Sequence, residues 1–275
     1  MVKKIFHIAD IHIPNNESKR PYMDMLKQGI AELYKEVKKY NKDEVRIVVA
    51  GDIFHNKIKV SNEATKMFHN FLNYLNAIAK TIIIAGNHDM LENNKDRVDS
   101  ITPTFDIKNV YDNIIYADKE LNYKSGYIVD ENIIWAIYSI FDNFSKPNIE
   151  GLKEEYKDST IIGLYHGDIA GAVTDTGRVT EHGINTEFFK ECDCVMAGHI
   201  HKKQEIKKHG VPLVYSGSFL QQNSGENTTG HGFLEWDVET LKYKHHEVTN
   251  NYRMFKFKIT SYDDIENDTE KLINL

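Results

Sequence analysis

The sequence predicts a layered α/β fold, and three observations support this expectation. Short runs rich in Ile and Val recur along the chain, and stretches with helical periodicity separate them. The chain has 275 residues, of which 41% are hydrophobic and 27% charged, with 5 Pro and 16 Gly. This composition is close to the average of globular proteins, so it excludes collagen, wholesale disorder and low-complexity sequence.

Five apolar runs in the first two hundred residues are short and Ile/Val-rich, as expected of buried strands. They are Lys3–Ala9, Val45–Ala50, Thr81–Ala85, Thr160–Tyr165 and Cys194–Ala197. Between the first two runs, Pro21–Tyr40 carries one apolar stripe and predicts an amphipathic helix. Between the next two, Glu63–Ala79 predicts a second helix, with Ser61 as its N-cap.

The second helix has a wide apolar face. Met67, Phe71 and Tyr74 extend the stripe beyond what one face of a sheet is expected to cover. Such a face more often belongs to the core than to an interface. We nevertheless expect self-association through this helix.

The pattern changes after residue 160, where strand candidates follow one another with few helices between them. They are Pro212–Ser216, Gly232–Val238, Tyr243–Thr249 and Met254–Thr260. They indicate either a second sheet or an antiparallel edge. The tail, Ser261–Leu275, resembles the start of an acidic helix and of a further structural unit.

The charge balance limits what the protein can bind. Its 34 Lys and Arg against 41 Asp and Glu give a net charge of −7, which argues against a basic grip over the whole surface on nucleic acid or lipid, so any polyanion must bind locally. His7, Asp10 and His12 interrupt the apolar N-terminus before it could form a signal peptide. No apolar run approaches the roughly 18 residues of a spanning helix, so we expect a cytoplasmic protein.

Metal-competent residues follow each of the five predicted strands. They are Asp10 and His12, Gly51 and Asp52, the run Gly86-Asn87-His88-Asp89, His166 with Asp168, and the run Gly198-His199-Ile200-His201. The spacing Asp-x-His should arise by chance about once in this composition, whereas Gly-Asn-His-Asp should arise about 0.005 times. Since the carboxyl ends of strands are where α/β sheets build sites, these residues predict a common centre.

The ligand types predict a pair of divalent metal ions. Two ions can clamp both the attacking and the leaving oxygen of a phosphoryl transfer, and one carboxylate must bridge them, for which Asp52 is the candidate. One ion would be held by Asp10, His12, Asp52 and His201. The other would be held by Asp52, Asn87, His166 and His199. Imidazole, carboxylate and amide donors without thiolate suit Mn, Fe or Zn.

The five motifs, spread over residues 5–201, resemble those of the calcineurin-like metallophosphoesterases. The resemblance implies two β-sheets packed as a sandwich and flanked by helices. Gly-Asp-Ile-Phe-His at 51–55, followed by Ser-Asn-Glu-Ala at 61–64, resembles the DNA-repair nucleases of the SbcD or meiotic-recombination-eleven type. Tyr-Ser-Gly-Ser at 215–218 matches a late motif of that type, and residues 219–237 resemble its phage versions.

This resemblance implies exonuclease and endonuclease action on DNA in repair or recombination, with Mn²⁺ as the metal. It also implies a homodimer, here through Glu63–Ala79, and an ATPase partner of the SbcC type. His88 would assist at the scissile phosphate, and His55 would be a second functional histidine. The neighbouring carboxylate of Asp89 is expected to orient His88.

The resemblance also implies two domains. Residues 1–250 would form the nuclease domain, and residues 251–275 would begin a truncated capping domain. The segment that docks the ATPase in relatives is expected to be absent.

Two alternatives remain for the function. The first is action on another phosphoester, as in a protein phosphatase or a small phosphodiesterase. It is disfavoured because Ile53-Phe54-His55-Asn56 replaces the Asp-Arg-Gly continuation that phosphatases carry after Gly-Asp. The second is a non-catalytic scaffold of the same fold, although scaffolds usually lose ligands and this chain has all seven.

Overall fold

The protein is described by a computed structural model over residues 1–16, 21–107, 110–207 and 211–256. The strands are β1 Lys4–Ile8, β2 Val45–Ala50, β3 Lys80–Ile84, β4 Ile114–Tyr116, β5 Gly126–Asp130, β6 Ile133–Ile137, β7 Thr160–His166, β8 Cys194–Gly198, β9 Gln204–Ile206, β10 Leu213–Tyr215, β11 Gly232–Asp237 and β12 Tyr243–Glu247. The α-helices are α1 Tyr22–Val37, α2 Asn62–Ile78, α3 Thr102–Phe105, α4 Ala117–Glu120 and α5 Leu152–Glu155. No helix in these ranges is long and apolar enough to cross a membrane.

The strands form two six-stranded mixed sheets. The first has the order β12-β11-β1-β2-β3-β4, with β1 to β4 parallel and with β11 and β12 as an antiparallel edge. The second has the order β5-β6-β7-β8-β10-β9, with the four central strands parallel. The expected α/β fold with two sheets flanked by helices is therefore confirmed.

The strands of the first sheet carry apolar side chains on both faces. On β1, Ile5 belongs to the cluster that also contains Trp135 and Met196 of the second sheet, so this cluster is the core between the sheets. Phe6 belongs instead to a cluster with the apolar stripes of α1 and α2. Because successive strand residues point to opposite faces, one strand supplies both cores.

The structure contains strands that the sequence analysis does not predict: β4, β5, β6 and β9. β4 and β9 have three residues each, too few to show a period, whereas β6 has the same short, Ile-rich and fully buried pattern as the predicted strands and could have been predicted. The late strand candidates divide between the sheets: β10 lies in the second, while β11 and β12 form the antiparallel edge of the first. Residues 254–256 are not a strand, and residues 257–275, with the expected start of a capping domain, lie outside the described ranges.

Helix α2 begins as predicted, but its apolar face is not an exposed interface. The Ser61 hydroxyl accepts a hydrogen bond from the Ala64 N–H at 3.0 Å, which confirms the N-cap. Met67 and Phe71 are only 3% and 0% exposed, because they pack in the helix-side core of this chain. Of the three residues expected to extend beyond that core, Tyr74 alone is well exposed, at 40%.

Candidate metal centre

The centre lies where parallel strands of both sheets end. The loops after β1 and β2 run side by side, because the Asp10 N–H donates to the Gly51 carbonyl at 3.1 Å and the His12 N–H donates to the Asp52 carbonyl at 3.0 Å. His166 ends β7, opposite Gly198 of β8. The two sheets thus bring distant segments of the chain to one edge.

Four of the predicted ligands adopt backbone conformations that residues other than glycine rarely occupy. The φ angles are 53° at Asp10, 51° at His12, 53° at Asp52 and 100° at His199. Gly51, which precedes Asp52, has a φ of 87°. A Cβ atom at Gly51 would lie 2.3 Å from His166 Nδ1. The sharp turns after these strands direct the side chains into the centre, and such strain is typical of functional sites.

The first group of donors comprises Asp10, His12 and His201. One ligand atom from each lies within 4.8 Å of the others. His12 Nε2 is 3.0 Å from His201 Nε2 and 3.5 Å from Asp52 Oδ2. The residues predicted to hold one ion are therefore neighbours.

The second group comprises Asp52, His166 and His199, with ligand atoms again within 4.8 Å. His166 Nε2 lies 3.2 Å from Asp52 Oδ1. The Asn87 Oδ1 atom lies 3.3 Å from the same nitrogen and 3.0 Å from His199 Nδ1. Asp52 thus presents one carboxylate oxygen to each group, the arrangement that a bridging ligand requires. The ligand roles themselves stay predictions.

The donors fit a cation because acceptor atoms face one another. His166 Nδ1–H donates to the Ala50 carbonyl at 2.7 Å, so in the neutral ring Nε2 carries a lone pair. That lone pair points at the oxygens of Asp52 and Asn87. In the protonated ring a proton on Nε2 lies between these atoms, and in the neutral ring a metal cation can take that place.

The charged groups of the centre shift one another's pKa values. Burial disfavours the charged His166, but the Asp52 carboxylate more than offsets this effect and raises the pKa of His166 to about 9. Burial likewise opposes ionisation of Asp52, yet His166 and His12 hold the pKa of Asp52 well below its usual range. Burial raises the pKa of Asp10 and lowers the pKa of His12. The centre therefore favours one ionised, bridging carboxylate.

His88 and His55 lie beside the predicted ligands. The His88 ring stands edge-on to His12, with ring centres 4.8 Å apart, and its backbone N–H donates to Asp52 Oδ1 at 2.8 Å. His88 Nδ1–H donates to the His55 carbonyl at 2.7 Å. His55 is exposed, and its ring centre is 5.6 Å from that of His12. Donor atoms of His12, Asp52 and His88 also lie within 4.8 Å, so distance alone does not separate a ligand from a proton donor at His88.

The expectation that Asp89 orients His88 is wrong. The buried Asp89 carboxylate accepts hydrogen bonds from the N–H groups of Ile53, Phe54 and Gly86 at 2.9 to 3.2 Å. It thereby joins the loops after β2 and β3. The His55 carbonyl, rather than Asp89, holds the His88 ring.

Glu226 is a site residue that the sequence analysis misses. Its buried side chain accepts a hydrogen bond from His201 Nδ1 at 2.9 Å, from the Gln222 N–H at 2.8 Å and from Asn223 Nδ2 at 2.7 Å. A carboxylate that holds the far nitrogen of a ligand histidine directs the other nitrogen to the metal. A single Glu in a loop without periodicity gives no sequence signal for this role.

In the second group, Asp168 contacts His199 as Glu226 contacts His201 in the first. Its Oδ1 atom is 3.5 Å from His199 Nε2, while His199 Nδ1 faces Asn87. The sequence analysis names Asp168 only as part of a motif. The histidine it contacts becomes evident when β7 and β8 are paired.

Comparison with known proteins gives a family and several relatives. The family described as "Calcineurin-like phosphoesterase" matches residues 3–203. An uncharacterised protein of Acanthamoeba polyphaga mimivirus is 32% identical over 98% of this chain. A protein of Invertebrate iridescent virus 6, provisionally named a phosphoesterase, is 28% identical over 66% of it.

The chain spans 20% of the length of the first relative and 60% of the second. Among solved structures, a Staphylococcus aureus protein provisionally named a 5′-nucleotidase, in complex with alpha-ketoglutarate, aligns with 98% of this chain and 58% of its own. The sequence identity is 14% and the TM-score is 0.46.

Proposed function

The chain belongs to the calcineurin-like phosphoesterases, a family of metal-dependent phosphoester hydrolases, and from this premise we propose that it is a two-metal DNA nuclease of the SbcD type. Its substrate is the phosphodiester bond of DNA, cut as an exonuclease and endonuclease in repair or recombination. The observation that carries the proposal is the pair of donor groups sharing Asp52, with His88 and His55 beside them.

The residues that would hold the ions are the seven predicted ligands. They are Asp10, His12, Asp52, Asn87, His166, His199 and His201. Once bound, two divalent ions neutralise charge on a phosphate and lower the pKa of water. The donor set suits Mn, Fe or Zn, and we propose Mn²⁺ because the resemblance to the SbcD-type nucleases implies it.

His88 acts on the departing oxygen without being a ligand. Its Nδ1–H is engaged by the His55 carbonyl, so Nε2 is the atom left for the substrate. A proton at Nε2 stabilises the charge that develops on the departing sugar oxygen. His55 positions His88 through its backbone. The exposed ring of His55 adds a second imidazole to a small cavity that His12 and His88 also line.

The partners follow from the same proposal. DNA is the substrate, an SbcC-type ATPase is the second subunit, and the nuclease subunit is a homodimer. Since the net charge is −7, DNA must bind through the metal centre and nearby groups rather than through a basic surface.

The test is incubation of the purified protein with labelled duplex and single-stranded DNA, with Mn²⁺, Mg²⁺ or a chelator. We expect cleavage with Mn²⁺ and none with the chelator. Asp52→Asn should abolish cleavage and lower the affinity for both ions together, whereas His201→Ala should empty mainly one site.

Parallel assays with bis(p-nitrophenyl) phosphate and a phosphopeptide separate the alternatives. Hydrolysis of these compounds without cleavage of any DNA would replace the nuclease by a small phosphodiesterase or a phosphatase. A protein that binds Mn²⁺ but hydrolyses none of them would be a scaffold.

A further inference from the structure

A second, larger cavity adjoins the metal centre. Its volume is about 580 Å³, and its lining includes the predicted ligands Asn87, His166 and His199. The small cavity that contains His12, His55 and His88 shares Asn87 and His199 with it. A substrate phosphate at the centre would therefore have the rest of the substrate beside this larger cavity.

One wall of the cavity is aromatic and is held in an unusual backbone conformation. The Phe144 ring packs on Tyr165, with ring centres 5.0 Å apart at 57°. Asn143 and Phe144 have φ angles of 52° and 55°, so two successive residues other than glycine adopt the left-handed conformation. Such strain persists where surrounding contacts enforce it, and it is common at ligand sites.

Lys95 supplies those enforcing contacts. Its ammonium group donates to the Ile140 carbonyl at 2.9 Å and to Asn143 Oδ1 at 2.5 Å, which ties the loop after β3 to the loop after β6. The ammonium group of Lys95 is thus hydrogen-bonded to protein atoms. It holds the wall that presents Phe144.

The charged groups around the cavity are engaged with protein partners and do not form a site for a second phosphate. Its lining, all of it within the described ranges, includes the carboxylates of Glu92 and Asp168 and one ammonium, that of Lys95. Asp168 contacts His199, and Glu92 pairs with Lys57 at 2.5 Å. Asn93 and Asn143 add amide groups that can both donate and accept hydrogen bonds. An uncharged group with a flat apolar face and polar edges fits this lining.

We propose that this cavity binds one unpaired nucleoside of the substrate while the adjoining phosphate lies at the metal centre. The proposal rests on the proposed function and refines its substrate class. The volume lies in the range of small-molecule sites, and an aromatic wall with nearby amides is how proteins hold a base taken out of its stack. A paired base cannot enter, because its partner strand and stacked neighbours would accompany it.

The first experiment compares two chromogenic phosphodiesters with the same leaving group. One is thymidine 5′-(p-nitrophenyl phosphate), and the other is methyl p-nitrophenyl phosphate, which has no nucleoside. With Mn²⁺ we expect kcat/KM to be greater for the thymidine ester by about 5- to 150-fold, the value of one base–aromatic stack. Phe144→Ala should remove most of that ratio.

Phe141→Ala is the matched control. Phe141 lies in the same loop and packs on Tyr123, with ring centres 5.0 Å apart, but it does not line this cavity. This variant should keep the ratio between the two esters. If Phe144→Ala fails to fold, Asn93→Ala replaces it, because Asn93 is an exposed residue of the opposite loop whose loss leaves the core intact.

The second experiment measures binding without catalysis. The fluorescent nucleoside 2-aminopurine riboside should be quenched by the native protein and by Phe141→Ala, but at least about 5-fold more weakly bound by Phe144→Ala. If no DNA is cleaved with any metal yet the nucleoside binds, the proposed function fails and the cavity assignment stands. Equal hydrolysis of both esters together with no quenching, or equal losses in the two Phe variants, would overturn the cavity assignment.

Discussion

The ring of His88 is held by a main-chain carbonyl, whereas two predicted ligands are held by carboxylates. Glu226 contacts His201, and Asp168 contacts His199. A carboxylate partner makes an imidazole a better ligand, while a carbonyl partner orients the ring without adding negative charge. The predicted ligand His166 is also held by a main-chain carbonyl, that of Ala50, so the metal content of a His88 variant must separate the two roles.

Replacement of His88 by Ala should slow DNA cleavage about 10²- to 10⁴-fold, the usual contribution of a general acid or base. Both ions should remain bound, because the seven predicted ligands are untouched. Cleavage rate and Mn²⁺ content of the same preparation are the measurements, with the exposed His182→Ala as control. Near-normal turnover would make His88 structural, and loss of metal would make it a ligand.

Glu226→Gln should weaken binding of one Mn²⁺ ion about 10- to 100-fold, because the far nitrogen of His201 loses its carboxylate partner. Asp168→Asn should weaken the other ion through His199. Calorimetric titration with Mn²⁺ resolves the two sites. Equal effects of both variants on both ions would contradict the division of ligands into two groups.

At the scale of elements, α1 and α2 bury their apolar faces in the core, including the face of α2 through which self-association is expected. The buried faces of α1 and α2 pack in one cluster with the first sheet. An apolar stripe wider than one sheet face is thus explained by a neighbouring helix. A dimer through α2 would use its outer face, where Tyr74 lies.

Phe71→Glu should unfold the protein rather than split a dimer. It removes a fully buried ring, which costs about 3–5 kcal/mol, and places an unpaired charge in the core. Tyr74→Glu should change the free energy of unfolding by only about 0.5 kcal/mol. Thermal unfolding compares the two variants.

Sedimentation of the native protein and of Tyr74→Glu then tests the proposed homodimer. We expect a native dimer at tens of micromolar and a larger monomer fraction in the variant. A native monomer at that concentration would remove the homodimer from the proposal.

At the scale of the whole molecule, the metal centre connects the two sheets. Asp10, Asp52 and Asn87 follow strands of the first sheet. In the second sheet, His166 ends β7 and His199 follows β8. Each proposed ion would therefore have donors from both sheets. An ion that binds only the folded chain stabilises it in proportion to its occupancy.

Mn²⁺ at 100 times its Kd should add about 2.7 kcal/mol per site, or roughly 5–10 °C in Tm for a chain of this size. A chelator should reverse the shift. Scanning calorimetry at several Mn²⁺ concentrations provides the measurement, and Asp52→Asn should show a smaller shift. A Tm that does not respond to Mn²⁺ would contradict a centre spanning both sheets.

His7 makes the stability of the whole molecule depend on pH. It is fully buried on β1, next to the Ala197 backbone. Burial, opposed weakly by the Ala197 backbone, lowers its pKa from 6.5 to about 3. Between these values the unfolded chain binds a proton that the folded chain does not, so stability falls as the pH decreases from 6.5 toward 3.

His7→Leu should therefore reduce the loss of stability on acidification by up to about 1.4 kcal/mol per pH unit. Urea unfolding at pH 7 and pH 4.5, with a chelator present, measures this difference. The exposed His182→Leu should keep the native dependence. Parallel pH profiles of the native protein and His7→Leu would show that His7 does not titrate as described.

The sequence predicted elements wherever a local rule was sufficient. Val45–Ala50 is a strand with the predicted bounds, and Ser61 caps α2, because periodicity and capping depend on neighbouring residues. It did not predict β4 and β9, which have three residues each, too few for a periodic pattern. Such short segments become strands through their partners.

By itself, the sequence determined which residues could form the centre, because rare motifs after predicted strands indicated metal-binding chemistry. Only the tertiary structure decided that Glu226 holds His201, that Asp89 joins two loops instead of holding His88, and that Phe71 is core. The physical reason is the distance along the chain. Contacts such as that of Asp10 with the His199 N–H, at 2.9 Å, join segments brought together by strand pairing and sheet stacking, and no local pattern encodes them.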